Sequence, residues 1–161
     1  MTEQNSPYPL GTERMLAAAD ARGLAVEVRA RPPARSLIEA AALLGIRPQD
    51  LAKTLVIRRG QESYLFAMVG GDRQLAWPKL RALLGMNKLS LPSAELALQA
   101  TGYERGTITP VGSTPPWPLV VDQRLVGARF AMGAGGHGFS SFLDVDDLVA
   151  AYDATVADIT D

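Results

Sequence analysis

The sequence predicts a mixed α/β domain with a largely antiparallel sheet. Three observations carry this. Residues 51–69, LAKTLVIRRGQESYLFAMV, form two runs rich in Leu, Val, Ile, Tyr and Phe around a polar Gly60-Gln61-Glu62 turn, the pattern of a β-hairpin. Helical and strand-like segments mix along the chain without a regular βαβ alternation. Several strand-like segments are joined by short turns rather than by helices.

Taken in order, Thr12 caps a predicted helix over residues 13–22, with Met15, Leu16 and Ala19 on one side and Gly23 at its end. Leu24, Val26 and Val28 alternate with polar or small neighbours at strand spacing. Pro32-Pro33 interrupts the chain, and Ser36-Leu37-Ile38-Glu39 is a capping box opening a helix that stops at Gly45. The hairpin comes next, then a turn at Gly70-Gly71-Asp72-Arg73. Pro78 suits the first turn of a helix carrying Leu80, Leu83 and Leu84, closed by Gly85. Ser93 caps a short helix over residues 94–100, ended by Gly102. Residues 102–118 are loop-like, with glycines and prolines throughout. Strands are expected over 119–121, 128–132 and 139–143, with a turn at Asp122-Gln123 and a glycine-rich connector over 133–138. Asp144 caps a closing helix containing Leu148 and Val149, and residues 155–159 form a last edge strand. No repeat or linker is visible, so residues 1–161 are expected to form one domain, with residues 1–10 as a flexible tail.

Composition narrows the chemistry. Hydrophobic residues make up 47% and charged residues 20%, a globular balance. The chain has no cysteine, which removes disulfides, thiolate metal sites and a cysteine nucleophile, and its single histidine, His137, leaves no His-rich zinc site. The polar first residues do not form a signal peptide, and no apolar run reaches membrane-spanning length, so a cytoplasmic protein without a membrane partner is expected. Charge is uneven: residues 1–100 hold 13 Lys and Arg against 9 Asp and Glu, whereas residues 101–161 hold 3 against 8. This pattern lacks the broad basic face of a protein that grips a long run of phosphates, and leaves room for a few phosphate contacts.

Lys53 is an ammonium among apolar strand neighbours, and burying it is costly unless a partner answers the charge. Two readings stand: an edge-strand lysine reaching water, or a ligand-facing cation. In the 102–112 loop, Gly102, Gly106 and Gly112 permit unusual backbone angles and Pro110 stiffens the segment after it, so its amides can approach a ligand or can simply serve surface turns. The GAGGHG stretch at 133–138 lacks the Lys-Ser/Thr ending of a phosphate-binding loop and fits a tight turn between strands better. His137 is a candidate general base by residue type, but Ser140, Ser141 and Asp144 lie too near it in sequence to suggest a triad, and an exposed loop histidine is the simpler reading. Asp144, Asp146 and Asp147 precede an apolar helical run and are assigned to capping rather than to a cation. Trp77 and Trp117, each beside a proline, are assigned to packing.

Together these residues resemble a known family. Glu39, Ala40, Ala41, Leu44 and Gly45, then Lys53-Thr54-Leu55, Gly71-Asp72-Arg73, Gly102-Tyr103-x-x-Gly106-x-x-x-Pro110-x-Gly112, Val120-Val121-Asp122 and Gly135-Gly136 share the order and spacing of the YbaK family of aminoacyl-tRNA deacylases, which includes the prolyl-tRNA synthetase editing domain. The resemblance spans roughly residues 24–160. It implies a barrel-like sheet with flanking helices, no cofactor and no metal. The implied activity is hydrolysis of the ester joining a wrong, small amino acid to its tRNA, a proline tRNA being one candidate. The implied partners are the acceptor end of an aminoacyl-tRNA and, in one variant, a synthetase. It assigns the functionally critical lysine to Lys53 and a pocket for the aminoacyl group to Gly106, Thr107, Ile108, Thr109 and Pro110, with Thr54, Gly112, Gly135 and Gly136 beside it. The chain departs from many relatives at Thr109-Pro110-Val111, at His137, and in residues 26–35, which lack their aromatic and histidine residues. A non-catalytic module of the same fold that binds tRNA ends or a synthetase is the alternative. A nucleotide-binding protein using residues 133–138 is a third, weaker reading.

Overall fold

The computed structural model describes residues 6–161, so the part of the expected tail at residues 1–5 lies outside the described residues. The chain runs α1 (Leu10–Ala21), β1 (Glu27–Ala30), α2 (Leu37–Leu44), β2 (Ala52–Arg58), β3 (Tyr64–Gly70), α3 (Trp77–Leu84), α4 (Ala94–Thr101), β4 (Leu119–Asp122), β5 (Arg129–Gly133), β6 (Phe139–Asp144), α5 (Val145–Tyr152) and β7 (Thr155–Ala157). One sheet has the order β1-β6-β5, all antiparallel, and the other the order β2-β3-β4-β7. In the second sheet β2 and β3 are antiparallel, while β4 and β7 add on parallel. The sheet is therefore mixed, with two parallel pairings the short turns did not announce. Among the described residues one isolated bridge, Leu51 to Ala131, links the backbones of the two sheets, which share a core but are not closed into the expected barrel.

β3 is buried along its whole length, and its alternate side chains supply two cores. Tyr64, Phe66 and Met68 join Val56, Val121, Phe130, Met132 and Leu143 between the sheets, with Met15 of α1, Ala97 of α4 and Leu148 of α5. Leu65, Ala67 and Val69 face the other way, onto Leu80 of α3, Val120 and Ile159. A third cluster packs Ala40 of α2 on Leu51, Ala131 and Phe142.

The local signals mostly hold. Ser36 accepts from the Glu39 N–H and Ser93 from the Leu96 N–H, and Gly45, Gly85 and Gly102 close their helices in left-handed conformation. Thr12 is not a cap: α1 starts two residues earlier, the Pro9 carbonyl accepts from the Glu13 N–H, and Thr12 is buried inside the helix. Within the expected tail, Tyr8 packs edge-on against Phe139 and Leu10 opens α1. The strand expected from residue 24 forms only over Glu27–Ala30. Asp144 takes the N-cap position of α5 without a side-chain cap bond; its carboxylate lies 3.9 Å from Arg129. Asp122-Gln123 leads into a 3₁₀ turn over Gln123–Leu125, and the last strand stops at Ala157. Both tryptophans pack: Trp77 lies against the α3-side core, and Trp117 meets Tyr64 edge-on while its indole N–H donates to Ala100.

Asp122, fully buried at the end of β4, ties the C-terminal segment to the sheet. Its carboxylate accepts from the Ile159 N–H, the Thr160 hydroxyl and Arg124. Arg124 continues to Asp158, whose carboxyl, bonded by Arg124 and Lys79, is held down to about 2 from 3.8. Replacing Asp122 with Ala would orphan a buried N–H and a hydroxyl, so urea unfolding is expected to show a loss of about 2–4 kcal/mol. A folded-state pKa below the unfolded one stabilises above the unfolded value and is lost as pH falls. The Asp158 contribution is thus complete above pH 3.8 and vanishes as pH drops through about 2, a decline that a thermal melt of Asp158→Asn will lack.

Candidate functional site

β2 is paired with β3 along its whole length, but among the described residues its outer edge is bridged at only two points. Leu51 bridges to Ala131 at one end and Arg58 to Ser90 at the other. Arg58 exchanges both backbone hydrogen bonds with Ser90, so its N–H and C=O point outward; by strand alternation those of Thr54 and Val56 do the same. Between the two closures the edge forms the wall of a cavity of about 280 Å³. Leu91 and Pro92, the start of α4 at Ser93 and Ala94, and Arg105 and Ile108 of the long loop complete it. Arg105 is exposed and makes no ion pair among the described residues. The Thr54 hydroxyl is buried without a hydrogen-bond partner, which in an apolar wall is costly unless a ligand or water answers it.

Thr54 and Ile108 thus meet at one cavity, whereas Lys53 does not join them. Neighbouring strand residues point to opposite faces, and Lys53 shares its face with Leu55 and Ile57, away from Ala52, Thr54 and Val56. Its ammonium donates to the Arg73 carbonyl at 2.7 Å, on the Gly-Asp-Arg turn after β3. Burial draws its pKa below the ordinary lysine value, and Asp72 opposes that shift. Lys53 is therefore neither a lysine in open water nor a neighbour of the 106–110 loop.

That loop is held by packing. Thr107 and Thr109 are buried; the Thr109 hydroxyl accepts from the Val111 N–H, and the Tyr103 hydroxyl donates to the Val111 carbonyl. Gly106 takes φ +90° at the turn. Pro110 lies buried behind it, and its carbonyl accepts from the Ser113 N–H. A Cβ on Gly112 would run into Tyr103, and one on Gly133 into the Ile108 and Thr107 carbonyls. Gly135 donates its N–H to Thr107, and Gly135 and Gly136 let residues 9–12 pass close by. Thr107, Gly135 and Gly136 also line a second hollow of about 480 Å³ with Leu10, Leu98 and Glu104. His137 stands exposed on its rim, 3.8 Å from Glu104. Ser140 accepts from Arg31 and Ser141 donates to Gly133, so no triad forms with His137. Asp146 accepts from the Gly127 N–H, and no cluster of His, Cys, Asp or Glu among the described residues could hold a metal ion.

A profile of the aminoacyl-tRNA editing domain matches residues 31–151. The chain belongs to this family. Similar proteins include the proline–tRNA ligase of Kosmotoga olearia, 31% identical over 116 residues covering 71% of this chain, and that of Shouchella clausii, 36% identical over 120 residues covering 74%. The matched stretch spans only about a fifth of either ligase. Among solved structures, a proposed trans-editing enzyme for prolyl tRNA synthetase superposes with a TM-score of 0.87 at 26% identity, covering 96% of this chain and 99% of that one.

In this editing domain the sequence pointed to Thr54 and Ile108 but missed Arg105 and the Ser93–Ala94 helix start, which face the same cavity. Arg105 lay inside the loop already singled out, whereas the α4 contribution depends on the Arg58–Ser90 bridge, which no local pattern reveals. Two substitutions test the geometry. Thr54→Val removes an unanswered hydroxyl at nearly constant shape, and chemical denaturation is expected to show stability unchanged or raised by up to about 1 kcal/mol. Gly133→Ala forces a methyl against loop carbonyls, and a loss of about 1–3 kcal/mol with faster amide exchange over residues 106–110 is expected.

Proposed function

We propose that this editing domain is a trans-acting deacylase that hydrolyses the ester of a tRNA charged with a small, wrong amino acid. The cavity at the open stretch of β2 carries this reading, since it joins a small volume to outward-pointing backbone amides and to Arg105, a cation without an ion pair among the described residues. An aminoacyl ester is already activated, so positioning and charge stabilisation do most of the work. The aminoacyl group enters between Thr54 and Ile108, with Arg105 at the rim. Water attacks the carbonyl carbon, the negative oxygen is received by N–H groups of the β2 edge, and the ribose oxygen leaves with a proton as the tRNA 3′ end. The substrate's neighbouring ribose hydroxyl is placed to relay that proton.

Lys53 enters from the other side of the strand. An acceptor end lying across the open edge meets Thr54 on one face and the Lys53 ammonium on the other, where it binds the terminal phosphate. Gly106, Thr107, Thr109, Pro110 and Gly112 hold the loop that shapes the cavity, and Gly135 and Gly136 back it. Because a methylene gives only about 1–3 kcal/mol of discrimination, rejection of the larger correct amino acid rests on exclusion from a small volume. The natural setting of such a reaction is the cytoplasm, with charged tRNA as partner and a synthetase as a second one.

The turned-away lysine favours a second reading, a module that binds tRNA ends or a synthetase without turnover. Incubation with tRNAs mischarged with Ala, Ser, Cys or Pro separates the two. Hydrolysis is expected, reduced at least tenfold in Lys53→Ala and in Arg105→Ala and several-fold in Thr54→Val. Tight binding of charged tRNA with no release of amino acid would replace the first reading by the second.

A further inference from the structure

We propose that the hollow between α1 and residues 112–116 is a phosphodiester subsite that receives the sugar–phosphate backbone of the tRNA; it deepens the deacylase reading and rests on it for the ligand. The hollow, of about 370 Å³, is lined by Arg14, Arg22, Ser113, Thr114 and Tyr152. Arg14 lies in α1 and Arg22 is the C-cap residue of that helix, eight positions on, with Ala18 midway; their backbones are about 12 Å apart along the helix axis, with a low floor between.

Each guanidinium is fixed by an aromatic face, Arg14 at 4.3 Å from the Tyr103 ring centre and Arg22 at 4.0 Å from that of Tyr152. Each also donates once to a backbone carbonyl, Arg14 to Thr101 and Arg22 to Ala151. Neither forms an ion pair among the described residues, and the Arg14 Nε is buried with no acceptor. Two oriented forks without an ion pair among the described residues match phosphate oxygens, since guanidinium binds them in a planar, paired geometry. Two such forks on one hollow suit successive phosphates of a polyanion.

Location joins this hollow to the cavity. Gly112 lines the hollow and Ile108 lines the cavity, four residues apart on one loop and so at most about 14 Å apart along the chain. A nucleic acid with its end beside Ile108 has its backbone within reach of α1. The basic excess of residues 1–100 includes both arginines.

The test is equilibrium binding of uncharged tRNA across a salt series, with Arg14→Gln, Arg22→Gln and, as control, the exposed Arg35→Gln. Each α1 variant is expected to bind three- to tenfold more weakly near 0.1 M salt, with a log–log salt slope shallower by about 0.7–0.9, whereas the control keeps the wild-type slope. Arg22 is exposed, so its variant folds even if the Arg14 variant does not. Mischarged tRNA hydrolysed with unchanged kcat and raised KM supports the subsite together with the deacylase reading. Reduced affinity and slope with no hydrolysis by any form keeps the subsite and removes the deacylase. Unchanged slopes, or a wild-type protein with no measurable tRNA affinity, overturn the subsite.

Discussion

The register of the β2–β3 pairing decides what this fold can do. Both faces of that hairpin are covered, so shifting the pairing by one residue would exchange every side chain between two cores. In the observed register, Lys53 pairs with Val69 and Thr54 with Met68. Met68 and Val69 belong to different cores, which fixes the hydroxyl toward the cavity and the ammonium toward the Gly-Asp-Arg turn. The chemistry available on either side of the strand is thus dictated by apolar burial elsewhere in the hairpin.

The same strand shows why the outer edge stays open. An unpaired strand edge is a liability that proteins usually cover or blunt. Among the described residues the other sheet bridges this strand at Leu51 and the segment before α4 bridges it at Ser90, leaving a short window walled by Pro92, Ile108 and Arg105. The stretch between the two bridges is flanked by a cation, Arg105. Such a window offers backbone donors to a small ligand while giving another strand little room to add on.

Much of this architecture was legible in the residues. Helices capped by Ser36 and Ser93 or opened near Pro78 depend on groups three or four residues apart, and the structure places them as expected. Thr12 misled because Pro9 starts the helix earlier, whereas Asp144 holds the expected N-cap position of α5 without a side-chain cap bond. The facing of Lys53 could not be read, since a strand buried on both sides lacks the apolar–polar alternation that would assign its faces. Asp122 was visible only as the end of a strand, because its partners arrive more than thirty residues later. The cavity was half legible for the same reason: Thr54 and Ile108 sit in recognisable motifs, whereas Arg58–Ser90 pairing is purely tertiary.

The hydrogen bonds around Asp122 also tie distant parts of the chain together. Thr160 bonds to Asp122 and accepts from Arg73, the Asp161 carbonyl accepts from the same guanidinium, and the Arg73 carbonyl in turn holds the Lys53 amine. The last two residues are therefore mechanically continuous with the strand that frames the cavity. One arginine thus fastens both those final residues and the carbonyl on which the amine rests, so loosening either contact would unsettle the other.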